Sequence, residues 1–179
     1  MALTSSARAL LVSAIRDPDP VIFFEHKGLY HAAKEDVPDE IETMPIGQAQ
    51  VVRPGSDLTL IAYGAMLRLA REAADTLAEE DGAQCEVIDL LTISPLDRET
   101  LVTSVQKTGR AVIVHEAPRS FGPGAEIATS IMDGAFLSLE APIARVTSWD
   151  VPFPGFAREK GNVPDLARVL AAARETLAF

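Results

Sequence analysis

The sequence is short of cysteine, of aromatic residues and of positive charge. Its one cysteine, Cys85, excludes a disulfide within the chain, and the apolar run around it predicts a buried thiol. Lys and Arg number 16 against 26 Asp and Glu, a net charge of −10, and they form no basic stripe, so a nucleic-acid binder is excluded. An acidic surface favours basic partners instead.

Long hydrophobic runs are also missing. No stretch approaches the roughly 18 to 20 apolar residues that a membrane-spanning helix needs, and the first residues show no signal-peptide pattern. Hydrophobic residues make up 47% of the 179 positions and charged residues 23%, values typical of a globular core with a solvated surface. We therefore expect a soluble, cytoplasmic chain without a membrane partner.

Several motifs that carry chemistry are absent. The sequence contains no phosphate-binding P-loop, no dinucleotide fingerprint, no nucleophile elbow and no Cys/His cluster with metal-ligand spacing. The glycine-rich stretch 121–126 opens a predicted helix, but Pro123 removes a backbone donor there and Glu126 adds negative charge. We favour a tight turn that packs the helix onto a sheet over an anion site.

Strand and helix patterns alternate from Leu58 onward. The predicted strands cover 58–63, 85–90, 111–115 and 143–147, and the predicted helices cover 65–80, Ser94 to about 107, 124–139 and 164–178. This alternation predicts the α/β class, with three layers around an open, mostly parallel sheet.

The first 57 residues have another character. Residues 4–16 show helical periodicity, and two Asp-Pro pairs at 17–20 end the predicted helix. Residues 21–24 are apolar on both faces, which predicts a short strand buried in a parallel sheet. Residues 31–57 are charged, aperiodic and rich in turn signals, which predicts a linker with little regular structure.

His115 and Glu116 are weak catalytic candidates at the end of a predicted strand. The carboxyl ends of parallel strands are where open α/β sheets hold ligands. Neighbouring strand residues point to opposite faces, however, so these two are poorly placed to transfer protons together. We favour a structural or interface histidine, and a free-standing ligand-binding module or small-molecule enzyme that uses this pair stays open as the alternative.

Trp149 and Phe153 lie in a proline-stiffened loop. Large aromatic side chains in a rigid loop often anchor interfaces. Packing beneath the last helix is equally compatible with the sequence, so both interpretations stay open.

Seven stretches of sequence resemble the β subunit of the thiamine-diphosphate-dependent decarboxylating component of 2-oxo-acid dehydrogenase complexes, of the pyruvate or branched-chain type. They are Asp17–His26, Pro45–Ala49, Asp57–Gly64, Val87–Asp97, Val114–Pro118, Gly124–Ala128, and Leu139–Pro142 with Val146–Pro154. Each stretch is weak alone, but together they follow the family's order over nearly the whole chain.

The resemblance implies a two-domain subunit of which this chain holds the carboxy-terminal part. Residues 1–30 are then the tail end of the pyrimidine-binding domain, with its last helix and strand, 31–57 the linker, and 58–179 a transketolase C-terminal-like domain. The family's cofactor-activating glutamate and active-site histidine belong to an earlier part, and its diphosphate–magnesium motif belongs to the α subunit. We therefore expect thiamine diphosphate and Mg in the full heterotetramer, and neither a cofactor site nor a metal site in this chain alone.

The resemblance also implies three partners. They are the α subunit of the same component, a second β subunit, and the small basic subunit-binding domain of the dihydrolipoyl acyltransferase. Glu175 and the terminal carboxylate of Phe179 are expected to meet basic residues of that domain, although Glu175 is equally compatible with a solvated helix face. The exposed apolar remnant at the start predicts at least a dimer.

The implied activity is oxidative decarboxylation of a 2-oxo acid by the whole enzyme, with transfer of the acyl group to a lipoyl group. The chain alone is expected to be inactive, with a role in assembly and docking. Branched-chain 2-oxo acids, pyruvate and acetoin all stay open as substrates.

Overall fold

One open sheet organises the computed structural model, which describes residues 4–31, 36, 39–40 and 42–179. Its strands are β1 (Gln50–Arg53), β2 (Leu58–Ala62), β3 (Cys85–Asp89), β4 (Ala111–Pro118) and β5 (Ala144–Ser148). Their spatial order is β1-β3-β2-β4-β5. Strands β2 to β5 are parallel, and β1 runs antiparallel to β3 at one edge. The predicted open, mostly parallel α/β sheet is confirmed.

Helices cover both faces of the sheet. They are α2 (Met66–Glu80), α3 (Arg98–Thr108), α4 (Pro123–Ala135) and α5 (Leu166–Leu177). Helix α1 (Thr4–Arg16) precedes them in the chain, and short 3₁₀ turns lie at Lys27–Leu29, Phe136–Ser138 and Phe156–Gly161. Helices α2 and α5 pack together over one face, and α3 and α4 pack together over the other. The three predicted layers are therefore present.

The core has two halves because successive strand side chains point to opposite faces. On β2, Leu60 packs towards α2 and α5, while its neighbour Ile61 packs towards α3 and α4. Every residue of β2 and β3 is buried. Burial on both faces explains why apolar residues dominate these strands, with Thr59, Glu86 and Asp89 as buried polar exceptions.

A buried polar network fastens α3 to the sheet. The Thr59 hydroxyl lies 2.8 Å from the Ser104 hydroxyl and 2.7 Å from that of Thr108. Ser104 donates to the Glu86 carboxylate at 2.5 Å, and Lys107 closes the network with an ion pair to the same carboxylate. Buried polar groups are stable only when they are hydrogen-bonded, and this network meets that requirement.

The predicted strand at residues 21–24 is wrong. The segment is extended but joins no sheet, and Ile22 and Phe24 are 78% and 85% exposed. A strand needs a neighbour that accepts and donates its backbone hydrogen bonds, and none of the described strands lies beside this segment. Just after it in the chain, the His26 Nε2 atom lies within hydrogen-bonding distance of the Glu116 carboxylate, 3.1 Å away.

The stretch 31–57, predicted as a linker with little regular structure, contains one short strand that sequence patterns did not indicate. Strand β1 lies within this stretch, with Val51 opposite Ile88 of β3. Its partner is more than 30 residues away in sequence, so local patterns did not indicate it. Residues 32–35, 37–38 and 41 of the predicted linker lie outside the described residues. The division into a domain tail, a linker and a main domain stays a prediction.

Two helix ends differ from the predictions. Helix α3 begins at Arg98 rather than Ser94, because the Asp97 carboxylate accepts the backbone N–H of Thr100 at 3.0 Å and caps the helix. Helix α4 ends at Ala135, and a 3₁₀ turn replaces its predicted last turn. No helix in the described part of the chain is long and apolar enough to cross a membrane.

Candidate functional site

His115 occupies the centre of the sheet's carboxyl edge. The connections after β2 and β4 lead to α2 and α4, which lie on opposite faces of the sheet, so the crevice of an open α/β sheet is expected between these strands. His115 fills this position and is fully buried. Its ring stacks on Tyr63, which directly follows β2, with centroids 6.2 Å apart and planes 14° apart.

The start of α4 closes over the imidazole. A Cβ added to Gly124 would lie 2.3 Å from His115 Nε2, and one added to Gly122 would lie 2.9 Å from its Cε1. Only glycine permits such a close approach between backbone and ring. The favoured interpretation of 121–126 as a packing turn agrees with this geometry.

Neither ring nitrogen of His115 has a hydrogen-bond partner among the described residues. Burial lowers the pKa of this imidazole, and the Arg145 guanidinium lowers it further. The Ala117 backbone opposes the shift but does not reach hydrogen-bonding geometry. Burial also raises the pKa of Tyr63 to about 12, with a smaller contribution from Glu116. Both rings are therefore neutral near pH 7.

Glu116 does not act together with His115. Its side chain is 38% exposed, and its carboxylate contacts His26 Nε2 at 3.1 Å. The structure thus separates the two candidates, as their positions on a strand predict. Use of His115 by a ligand would require the start of α4 to open.

The described residues do not fit thiamine diphosphate with magnesium. No group of three or more His, Cys, Asp or Glu side chains in the described ranges could hold a metal ion. The first turn of α4 offers no anion site either, because His115 lies beneath it and it carries Pro123 and Glu126. No catalytic step follows from this chain through that cofactor.

Trp149 and Phe153 are exposed on a loop at the carboxyl end of β5. The guanidinium of Arg168 lies 4.2 Å from the Trp149 ring centroid, and Trp149 Nε1 donates to the Gly161 carbonyl at 3.3 Å. Trp149 is still 54% exposed and Phe153 66%. These side chains are held on one side and open on the other, which suits an interface anchor.

Glu175 and Phe179 lie at the opposite end of the molecule. Both are exposed, near the amino ends of the strands. Arg174, next to Glu175, forms ion pairs with Glu80 at 2.6 Å and with Asp81 at 2.8 Å, so two carboxylates neutralise its single positive charge. The surroundings of the chain terminus are therefore acidic.

Tyr63 and Arg168 are residues of this arrangement that sequence reasoning missed. Tyr63 directly follows a buried strand, and strand-end position is the one signal that could have singled it out. Arg168 contacts Trp149 across 19 positions, and no local pattern indicates that contact.

These features define an open three-layer α/β domain whose strand-end crevice is filled by its own side chains. Residues 47–169 match the family described as the transketolase C-terminal domain. The chain belongs to the family of transketolase C-terminal domains.

The similar curated proteins are β subunits of 2-oxo-acid dehydrogenases. The pyruvate dehydrogenase E1 component subunit beta of Bacillus subtilis is 48% identical over 173 residues, which cover 97% of this chain and 53% of that protein. The mitochondrial 2-oxoisovalerate dehydrogenase subunit beta 2 of Arabidopsis thaliana is also 48% identical, over 97% of this chain and 48% of that protein. The chain thus spans about half the length of these relatives. The resemblance stated from sequence is confirmed.

A solved structure shares the fold. It is described as a split gene transketolase, an inactive β4 tetramer, and it superposes with a TM-score of 0.68 at 29% identity. The match covers 82% of this chain and 46% of that one.

Proposed function

We propose that this chain is the carboxy-terminal part of a 2-oxo-acid dehydrogenase β subunit and serves subunit assembly and docking to an acyltransferase core. The observation that carries the proposal is the 48% identity to such β subunits over 97% of the chain. In this view residues 1–30 are the tail of a pyrimidine-binding domain. Exposure of the apolar Ile22 and Phe24 supports that assignment, because such side chains need a cover.

The whole enzyme would decarboxylate a 2-oxo acid on thiamine diphosphate, with magnesium, and acylate a lipoyl group. An α subunit would supply the diphosphate–magnesium site. The relatives' names include both pyruvate and 2-oxoisovalerate, so either substrate class is compatible with this chain. We place the protein in the cytoplasm, as for a bacterial complex.

The exposed aromatic loop supports self-association with a second copy of this chain. We call Phe121, Trp149, Phe153 and Phe156 the aromatic edge; all are exposed, and they follow β4 and β5 at the carboxyl end of the sheet. Aromatic side chains held in place before binding lose little conformational entropy in an interface. The similar split-gene transketolase is described as a β-only tetramer, which supports assembly without another subunit type.

The chain terminus supports docking of a basic domain. Glu175 and the carboxylate of Phe179 lie near Glu80 and Asp81, with Arg174 between them. Arg and Lys side chains of a partner would form charge-assisted hydrogen bonds with these groups. The net charge of −10 would speed encounter with such a partner at low salt.

Calorimetric titration tests the docking role. The purified chain is titrated separately with thiamine diphosphate–magnesium and with a basic subunit-binding domain. We expect binding heat only with the binding domain. Deletion of Phe179, or Glu175→Gln, should lower the affinity for that domain at least about tenfold. The matched control Glu99→Gln changes an exposed carboxylate at the other end of the sheet and should bind normally. Tight cofactor binding, or no heat with the basic domain, would refute the proposal.

Sedimentation velocity tests the assembly role. We expect the chain to form a dimer or larger species that dissociates on substitution of Trp149→Ala together with Phe153→Ala. Phe136→Ala is the control, since Phe136 is 60% exposed but lies away from the aromatic edge, after the end of α4. An unchanged association state in the double variant would exclude the aromatic edge as the interface.

A further inference from the structure

The burial of His115 is chemically unusual. A buried imidazole normally has a hydrogen-bond partner on at least one nitrogen, yet both nitrogens of this ring lack one in the described part of the chain. The ring is held by stacking on Tyr63 and by backbone contact with Gly122 and Gly124. These contacts suit a neutral ring and give nothing to a charged one.

The groups around the ring offer no counter-charge. Just after β2 the facing group is Tyr63, whose pKa of about 12 keeps it neutral, and on β5 it is the positive Arg145. On α4 the charged residue of the first turn is Glu126, which Arg98 engages at 2.6 Å. On β4 itself, Glu116 is engaged by His26. A proton on His115 would therefore be buried beside a cation.

The turn above the ring is held in a strained conformation. Phe121 has φ 61° and an almost fully exposed side chain. A bulky residue in the left-handed region costs about 1 kcal/mol or more, so packing must hold it there. After Phe121, Gly122 and Gly124 pack against the imidazole; before it, the Ser120 backbone N–H and hydroxyl donate to the Asp150 carboxylate at 2.9 and 2.8 Å.

We propose that His115 is an acid-sensitive latch: the neutral ring holds the start of α4 against the sheet, and its protonation releases residues 121–126. The folded pKa of His115 lies below the ordinary 6.5, so its stabilisation is complete above pH 6.5 and is lost as the pH falls through the folded pKa. The released turn carries Phe121, one member of the aromatic edge. Acid thereby changes the position of Phe121 within the aromatic edge.

Hydrogen exchange of the full chain from pH 7.5 to 5.0 tests the latch. After correction for the intrinsic pH dependence, exchange of amides 122–128 should rise by about tenfold for each pH unit between 6.5 and the folded pKa. Amides of β2 should keep their protection over the same range. Constant protection of 122–128 throughout would overturn the proposal.

Variants separate this latch from general acid sensitivity. His115→Phe keeps an aromatic ring but removes the proton, so exchange at 122–128 should become independent of pH. His31→Gln, which changes an exposed histidine, should behave as the original chain does. The same acid response in His115→Phe would refute the role of His115.

Direct titration covers the case in which the phenylalanine variant does not fold. The Cε1 proton resonance of His115 should titrate below the ordinary imidazole value of 6.5 and should move together with the amides of 122–128. Gly124→Ala should loosen the same amides at neutral pH, because its Cβ would occupy the space of the imidazole. Titration of His115 at or above 6.5 would overturn the latch.

Discussion

Two mainly apolar stretches of similar length differ completely in burial in this molecule. Residues 58–62 form β2, fully buried between β3 and β4, whereas residues 21–24 are extended and exposed on the surface. The difference lies in neighbours rather than in composition, because β2 has a hydrogen-bonded strand on each side and helices on both faces. An apolar run therefore indicates a need for burial, and tertiary structure decides whether the chain itself supplies it.

The largest expected difference comes from truncating one side chain in each stretch. Leu60→Ala should lower the free energy of unfolding by about 2–5 kcal/mol, because it leaves a cavity in a closed core. Phe24→Ala should change it by less than about 0.5 kcal/mol. Urea denaturation at low protein concentration measures both. A large loss for Phe24→Ala would show that the leading segment is part of the same cooperative unit.

Two glycines extend the comparison to the backbone. A Cβ at Gly55 would lie 2.2 Å from the Cys85 carbonyl carbon and from the Glu86 nitrogen, whereas one at Gly155 would meet nothing within 4 Å. Gly55→Ala should therefore cost about 1–3 kcal/mol of stability, and Gly155→Ala close to none. Thermal denaturation of the two variants checks this. Equal melting temperatures would mean that the strand backbones at this end can move apart.

Asp97 tests how side chains fasten neighbouring segments to the sheet. Burial raises its pKa, but hydrogen bonds from the backbone of Thr100 and Ala49 and from the Thr100 hydroxyl outweigh burial, so its pKa lies below the ordinary value. Asp97→Ala should cost about 1 kcal/mol at pH 7. Because a lowered carboxyl pKa stabilises only the ionised form, this cost should vanish as the pH falls through the folded pKa, below about 4.

Urea denaturation at pH 7 and at pH 3 measures that change. The control is Asp133→Ala, which alters an exposed carboxylate of α4 and should stay within about 0.5 kcal/mol at both pH values. A cost for Asp97→Ala that stays the same in acid would assign its effect to packing rather than to charge.

The smallest expected effect concerns the link between the leading segment and the sheet. His26→Gln removes the ion pair with Glu116, which is worth less than about 1 kcal/mol because both partners are exposed. Global stability should barely change, but cleavage within 17–31 by limited proteolysis should become faster. Tyr30→Phe removes only the local bond to Glu25 and is the control. Unchanged cleavage would mean that other contacts fix the segment.

Sequence patterns predicted the elements whose structure depends on local spacing. Helices α1, α2 and α5 have apolar stripes that agree with their observed bounds within two residues, and β2 is a mainly apolar run before a glycine turn. Strand β1 escaped because its residues lack alternation and its partner is distant in sequence. The cap of α3 was misplaced because Ser94 and Asp97 are both good capping residues, and sequence alone does not rank them.

The candidate site was predictable only in part. Its position at the end of a predicted strand identified His115 as a candidate site residue. Because His115 and Glu116 are neighbours on a strand, the sequence also predicted that their side chains point in opposite directions. The stacking on Tyr63 and the closure by Gly124 depend on the register between β2 and β4 and on where α4 begins. Such distances between elements are set by packing, which a one-dimensional pattern does not encode.

Strand β1 has a consequence for the kind of oligomer that this domain can form. It is four residues long, its pairing with β3 shifts register between Val51 and Arg53, and Arg53 is engaged by Asp75. A short, irregular and charged edge is a poor template for a further strand from another molecule. Growth of the sheet into fibres through this edge is therefore disfavoured, so that of the two edge strands only β5 is left as a possible site of strand addition.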